Sequence, residues 1–255
     1  PHPPPPPPPP AAASTISRAS FTENADRRPS ELRRARRTQE KRIVGGDPAP
    51  VGRYDFLASL SVLPYADPTR GAPAHQCTGS LVAPDVVITS AHCVGMFDVI
   101  ELGRYSLDDT AMSPLGDGDF ERFWPDEQVS HPRYFDLSDE FAFDVAVIKV
   151  YGVSSLSPVE LNRDPSVPAV AGRSVYAAGW GKQSYDGSTS SVPNDVELKY
   201  IPNDVCRMAE GEVNNGASSM TYEKFIAPSM ICAWDEGEDA CQGDSGAPLM
   251  IVSEE

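Results

Sequence analysis

The chain has 255 residues with 37 Asp or Glu against 21 Lys or Arg, a net charge of -16, and 40% of its residues are hydrophobic. This is enough apolar material for one or two ordinary cores, and the acidic balance argues against nucleic acid or an anionic membrane surface as partner. No stretch approaches the roughly 18 apolar residues of a membrane-crossing helix, and nothing in the composition asks for a cofactor.

The first 42 residues stand apart. Pro3 to Pro10 is an unbroken proline run, which favours an extended polyproline II rod of roughly 25 Å, read as a spacer rather than a ligand for aromatic grooves. An Arg-, Ser- and Ala-rich stretch without apolar periodicity follows as far as Arg42, and it has no core to build. Residues 1–42 carry nine Lys or Arg against four Asp or Glu, while residues 43–255 carry 12 against 33, a change from +5 to -21. The boundary therefore falls between Arg42 and Ile43, with a disordered Pro/Arg-rich segment before it.

Beyond Ile43 the sequence offers many short strand signals separated by Gly, Pro, Asn and Asp clusters, and no long helical periodicity. The pattern predicts an all-β protein built from barrels. About 213 residues suffice for two of them, the first spanning about 43–162 and the second about 163–255, with the crossing near Asn162 to Pro168. Val86-Val87-Ile88-Thr89 reads as a buried strand leading into Ser90-Ala91-His92-Cys93. Asp144 heads the apolar, β-branched run that ends at Val150. Between Cys206 and Cys232, Asn214-Asn215-Gly216 marks a turn in a long surface loop.

Asp239-Ala240-Cys241-Gln242-Gly243-Asp244-Ser245-Gly246-Ala247-Pro248 holds a serine between glycines, and seven residues follow its Pro248. A serine hydroxyl becomes a nucleophile only when a base takes its proton and a third group orients that base. Alone, a histidine is most often structural, and an aspartate before a strand is usually a turn residue. In the order His92, Asp144, Ser245 they form a candidate catalytic set. The other histidines, His2, His75 and His131, lack metal-ligand spacing, and no Cys-x-x-Cys pair occurs. The acidic stretch Asp108 to Glu121 lacks the regular oxygen spacing of a calcium loop, so no metal is expected.

These motifs resemble the trypsin/chymotrypsin family of serine proteases. The likeness runs from Ile43 to Ile251 through Ile43-Val44-Gly45-Gly46, Ser90-Ala91-His92-Cys93, Asp144-Val145-Ala146, Gly179-Trp180-Gly181 and Gly243-Asp244-Ser245-Gly246. It implies two six-stranded antiparallel β-barrels packed against each other, with the active site in the cleft between them. It assigns Ser245 as nucleophile, His92 as general base and then acid, Asp144 as the group that fixes the imidazole tautomer, and the backbone N–H groups of Gly243 and Ser245 as the oxyanion hole. It makes Asp239 the floor of a pocket that prefers Arg or Lys. It also implies a zymogen: cleavage after Arg42 frees the α-amino group of Ile43 to pair with Asp244. The activating agent is the enzyme itself or a convertase acting at Lys41-Arg42.

The resemblance further implies disulfides Cys77–Cys93 and Cys206–Cys232, and hence a secreted protein. Cys241 is left over, because its family partner lies beyond the nucleophile and beyond Glu255. The sequence, which starts at Pro1 rather than Met, is therefore expected to be incomplete at both ends and to lack the strands that close the second barrel. With no cysteine before Cys77, the released pro-segment is expected to leave. Ala247 stands where the family has a second glycine, at a cost of about 1 kcal/mol only if its φ is positive. The expected molecule is a monomeric endopeptidase acting on Arg- or Lys-containing proteins or peptides, activated by itself or another protease. The alternative is an inactive protease-fold binding or inhibitor module.

Overall fold

The computed structural model describes residues 17–19, 46–63, 73–108, 120–134, 142–168, 170–182, 188–213, 218–236, 240 and 242–252. Arg42, Ile43, Asp239, Cys241 and the turn at residues 214–216 lie outside the described residues. The fold is almost wholly β, as the sequence predicts. Its strands, in chain order, are β1 (Ser17–Ala19), β2 (Asp47–Pro48), β3 (Leu57–Val62), β4 (Ala74–Ala83), β5 (Val86–Thr89), β6 (Val99–Leu102), β7 (Glu121–Phe123), β8 (Pro125–Ser130), β9 (Ala146–Val150), β10 (Ser174–Gly179), β11 (Asn194–Ile201), β12 (Glu210–Val213), β13 (Ser218–Thr221), β14 (Cys232–Trp234) and β15 (Leu249–Met250). A six-residue helix, α1 (Asn203–Met208), follows β11.

Seven strands form one antiparallel sheet in the order β7-β6-β3-β4-β5-β9-β8. Its two end strands, β7 and β8, are halves of one bent strand, separated only by Trp124. Counting that bent strand once, the order runs through six strands and returns to its start, which is barrel closure through the covalent chain. The bend suits its residues: Pro125 has no N–H to give to a ladder, and Tyr151 N–H reaches the Trp124 carbonyl at 2.9 Å. Inside lie Ala58, Leu60, Leu81, Val87, Ile100, Leu102, Ile148 and Val150, each at most 1% exposed. Burying one such branched side chain contributes up to about 1.5–3 kcal/mol.

In β9, Ala146, Ile148 and Val150 point inward while Val147 and Lys149 face out. The strand at Val86–Thr89, expected to be buried throughout, alternates in the same way, with Val87 and Thr89 inside. A barrel wall has one inner face, so period two wins over continuous burial.

The second sheet runs β14-β11-β10-β15, with β2 also pairing β11. Asp47 and Pro48, which the sequence reading counted with the first barrel, thus join the second, opposite Asp195 and Asn194. Pro48 fits such an edge position, where one missing donor is tolerated. Among the described residues this sheet does not close. The long connection between Cys206 and Cys232 carries an antiparallel hairpin, β12–β13, against which β1 pairs. Both expected disulfides are present, Cys77–Cys93 and Cys206–Cys232. No described helix is long and apolar enough to cross a membrane.

Candidate active site

β5 delivers His92. The strand ends at Thr89 and the chain tightens into a 3-10 turn at Ala91–Cys93, with Cys93 tied to Cys77 on β4. β9 is the antiparallel neighbour of β5, with Ala146 opposite Thr89, so Asp144, just before β9, emerges at the same end. The carboxylate grips His92 at two points: Oδ1 accepts the His92 backbone N–H at 2.9 Å, and Oδ2 lies 2.5 Å from Nδ1. Burial alone raises the Asp144 pKa, but the side-chain and backbone hydrogen bonds from His92, with a further one from the Ala91 backbone, outweigh it and hold the carboxyl below the ordinary aspartate value.

Phe143, immediately before Asp144, has φ +59°. A bulky residue in the left-handed region is strained, and neighbours hold it there. Its ring stacks on His131 at 4.8 Å, and the Arg133 guanidinium lies 4.1 Å from its centroid.

Ser245 sits in the turn that precedes β15. Its carbonyl accepts the Thr78 N–H at 2.8 Å, and Cys93 Sγ lies 3.9 Å from the same oxygen. The serine backbone is thereby docked on β4 beside the disulfide that anchors the His92 turn. Gly246, with φ +82°, allows this approach, since a Cβ there would meet Thr89 Oγ1 at 2.1 Å and the Thr78 carbonyl at 2.3 Å. Ala247 has no positive φ, so its methyl carries no left-handed penalty. The structure brings His92, Asp144 and the Ser245 backbone to one region. It records no hydrogen bond between the Ser245 hydroxyl and His92, a contact that is often loose without substrate.

Asp244 is buried at 8% exposure, with Oδ1 accepting the Gly181 N–H at 2.8 Å. Gly179-Trp180-Gly181 is cut to fit this carboxylate: a Cβ on Gly179 would lie 2.4 Å from Oδ1, and one on Gly181 would lie 2.0 Å from Oδ2. Neither the Gly243 nor the Ser245 N–H has a protein acceptor among the described residues.

One residue escaped the sequence reading. His75 bridges the two sheets, with Nδ1 2.8 Å from Ser59 Oγ and Nε2 donating to the Gly243 carbonyl at 3.0 Å. The same carbonyl accepts Thr78 Oγ1 at 3.0 Å, and the His75 ring packs on Trp180 at 5.6 Å. Burial lowers the His75 pKa to about 4. Strand alternation could not have found it, because a bulge between His75 and Cys77 turns His75 onto the face of Ser59 and Thr78 while Cys77 faces the core beside Leu60.

For metals, Glu121 is already engaged by Ser154 Oγ, Ser155 N–H and Ser155 Oγ. The grouping of His92 with Cys77 and Cys93 offers no thiolate, since both sulfurs are in the disulfide. The rest of the acidic stretch, residues 109–119, lies outside the described residues.

Comparison with known proteins agrees with this architecture. Residues 43–254 match the family described as Trypsin. The chain is 30% identical over 224 residues to a venom protease of Bombus pensylvanicus, covering 83% of each. It is 30% identical over 237 residues to the proclotting enzyme of Tachypleus tridentatus, covering 84% of this chain and 56% of that longer protein. Among solved structures, mouse neuropsin, a serine protease expressed in the limbic system, shares the fold with a TM-score of 0.62 at 24% identity, over 80% of this chain and 81% of that one. A family match spanning most of the chain, carried on a closed barrel and a second β-sheet, means that this chain belongs to the trypsin family of serine proteases.

Proposed function

We propose that this protease is an endopeptidase in which His92, Asp144 and Ser245 act as a triad. The two-point grip of Asp144 on His92 carries the reading. With Oδ2 accepting from Nδ1, the imidazole proton resides on Nδ1 and the Nε2 lone pair is available as base. Ser245 Oγ attacks the scissile carbonyl as its proton passes to Nε2. The C–N bond breaks as the imidazolium returns that proton to the leaving amine, and water then repeats the sequence on the acyl-enzyme. The N–H groups of Gly243 and Ser245 receive the developing oxyanion, each such donor being worth about 10^2–10^3 in rate. One relative is named a protease and another an enzyme, which favours an active enzyme over an inactive binding module.

Asp239 sets a preference for Arg or Lys, since a carboxylate offsets the cost of burying a cationic side chain. The preference is tested by comparing otherwise identical Arg-ending and Phe-ending peptide substrates; equal hydrolysis rules it out. Residues 1–42 act as a pro-segment and residues 43–255 as the peptidase domain. Cleavage after Arg42 frees Ile43 to pair with Asp244. In support of this switch, Asp244 is buried in its glycine cradle, and Ala49 N–H bonds Pro193 O, which fixes the chain just after the cleavage site to the second sheet. If Ser245→Ala is still processed after Arg42 in cells, a separate protease does the cutting. The two disulfides fit an extracellular setting.

A serine-directed fluorophosphonate probe tests the central claim. Protein cleaved after Arg42 should label at Ser245, and Ser245→Ala and His92→Ala should not. Labelling of Ser245→Ala, or none of the wild type, refutes the assignment.

A further inference from the structure

We propose that the outer edge of β12 is a strand-docking surface, occupied in the uncleaved protein by residues 17–19 of the pro-segment and vacated when the chain is cut after Arg42. The inference rests on the reading of residues 1–42 as a pro-segment released by that cut.

The β12–β13 hairpin stands on a fixed base. The Cys206–Cys232 disulfide ties its two flanks together, and the Tyr222 N–H closes its foot on the Ala209 carbonyl at 3.1 Å, with both of those residues buried. Arg207 Nε donates to the Ile226 carbonyl and Asn203 Nδ2 to the Met230 carbonyl, each at 2.8 Å, which binds α1 to the returning chain. What rises from this base is a two-stranded ladder, Glu210–Val213 against Ser218–Thr221. Two strands alone are marginal in water, and an open edge leaves a row of backbone donors and acceptors for another strand to pair. Among the described residues only β1 lies on the side of β12 away from β13. It runs antiparallel, with Ser17 opposite Glu212 and Ala19 opposite Gly211 and an irregularity between them.

Charge suits this occupant to the edge. β12 reads Glu210-Gly211-Glu212-Val213, with two carboxylates and no cation, whereas β1 carries Arg18 and no carboxylate. Residues 1–42 as a whole carry +5 against -21 for the rest of the chain. Strand addition is recognised mainly through the backbone, so a segment with no core of its own can still dock.

The covalent tether sets the life of the pairing. Residues 20–45 join β1 to the first described residue of the peptidase domain, Gly46, a reach of up to roughly 90 Å that lets β1 arrive within its own chain. Such a tether holds the strand near β12 at an effective concentration on the order of millimolar. Three residues of ladder make a weak site, which fills at that concentration. The cut after Arg42 removes the tether, and at about 1 μM protein the concentration of the segment falls about 10^3-fold. The released strand then leaves, and the edge of β12 is open only in the cleaved enzyme.

The test follows amide hydrogen exchange at residues 210–213 in the full, uncleaved chain carrying Ser245→Ala. Exchange there should be about tenfold slower than in the same protein with Ser17→Pro and Ala19→Pro, which remove two backbone donors from β1 and break its ladder. Amides of β3 and β9 should exchange alike in both, because the proline pair lies outside the peptidase domain. After a cut at Arg42 verified by intact mass, the β12 rates at micromolar protein should match those of the proline variant. A synthetic peptide of residues 11–26 should then restore protection only near millimolar concentration. Equal protection in the uncleaved protein and the proline variant overturns the docking. Protection that rises with protein concentration in the uncleaved chain places a second copy's strand on the edge and overturns pairing within one chain, and protection that survives the cut overturns the release. If cutting after Arg42 does not make wild-type Ser245 reactive to the fluorophosphonate, the zymogen reading fails instead, and the proline variant alone still decides whether β1 docks.

Discussion

Acidification should destabilise this protein through His75 before its carboxylates come into play. The ring is enclosed by Trp180, Ser59 and the Gly243 carbonyl, and its pKa falls from 6.5 to about 4, chiefly by burial. A histidine with a depressed folded pKa binds fewer protons folded than unfolded between those two values. Stability is therefore complete above pH 6.5 and is lost as pH falls toward 4. At 1.36 kcal/mol per unit the shift corresponds to about 3 kcal/mol, and the partial solvent contact of the residue reduces this to about 2 kcal/mol. Urea denaturation of the Ser245→Ala protein, which cannot digest itself, should show that loss between pH 7 and 4.5. A His75→Gln counterpart starts less stable but should show a slope flatter by the same amount. The carboxylates held below their ordinary values, Asp144 and Glu121, lose their contribution only on further acidification. Parallel pH profiles for the two proteins would refute the assignment of this window to His75.

Three further outcomes follow from the geometry. Asp144→Asn keeps the shape but presents an amide where Nδ1–H needs an acceptor, so kcat at pH 7 should fall by about 10^3–10^4, read on a peptide amide. Gly181→Ala would put a methyl 2.0 Å from Asp244 Oδ2; it should lower stability by at least about 2 kcal/mol and suppress fluorophosphonate labelling together. Replacing both Cys77 and Cys93 by Ala opens a loop of sequence separation 16, which should cost about 3 kcal/mol in urea titrations. It should also lower kcat by loosening the His92 turn.

Local features were the legible ones. Val86–Thr89 and Ala146–Val150 announce themselves as strands by β-branched residues, and the fold puts His92 and Asp144 at their ends. What periodicity does not carry is pairing. Nothing near Trp124 says that β7 and β8 are one bent strand that shuts the barrel, because closure depends on partners far along the chain. For the same reason Asp47–Pro48 was counted with the wrong barrel: two residues have no period, and their ladder partners lie at Asn194 and Asp195. His75 read as a stray histidine because its meaning lies in Ser59 and Gly243, which are 16 and 168 residues away.

The strained backbone at Phe143 has a consequence for anyone who tries to improve this protein. Glycine or asparagine there would relax a conformation that costs of order 1–3 kcal/mol, and nothing in the thermal melt would warn against the change. The residue it would free is the one that aims Asp144 at both donors of His92. Selection for heat resistance alone should therefore drift toward tougher, slower variants at this position, and only a library scored for turnover at the same time would keep the aromatic ring.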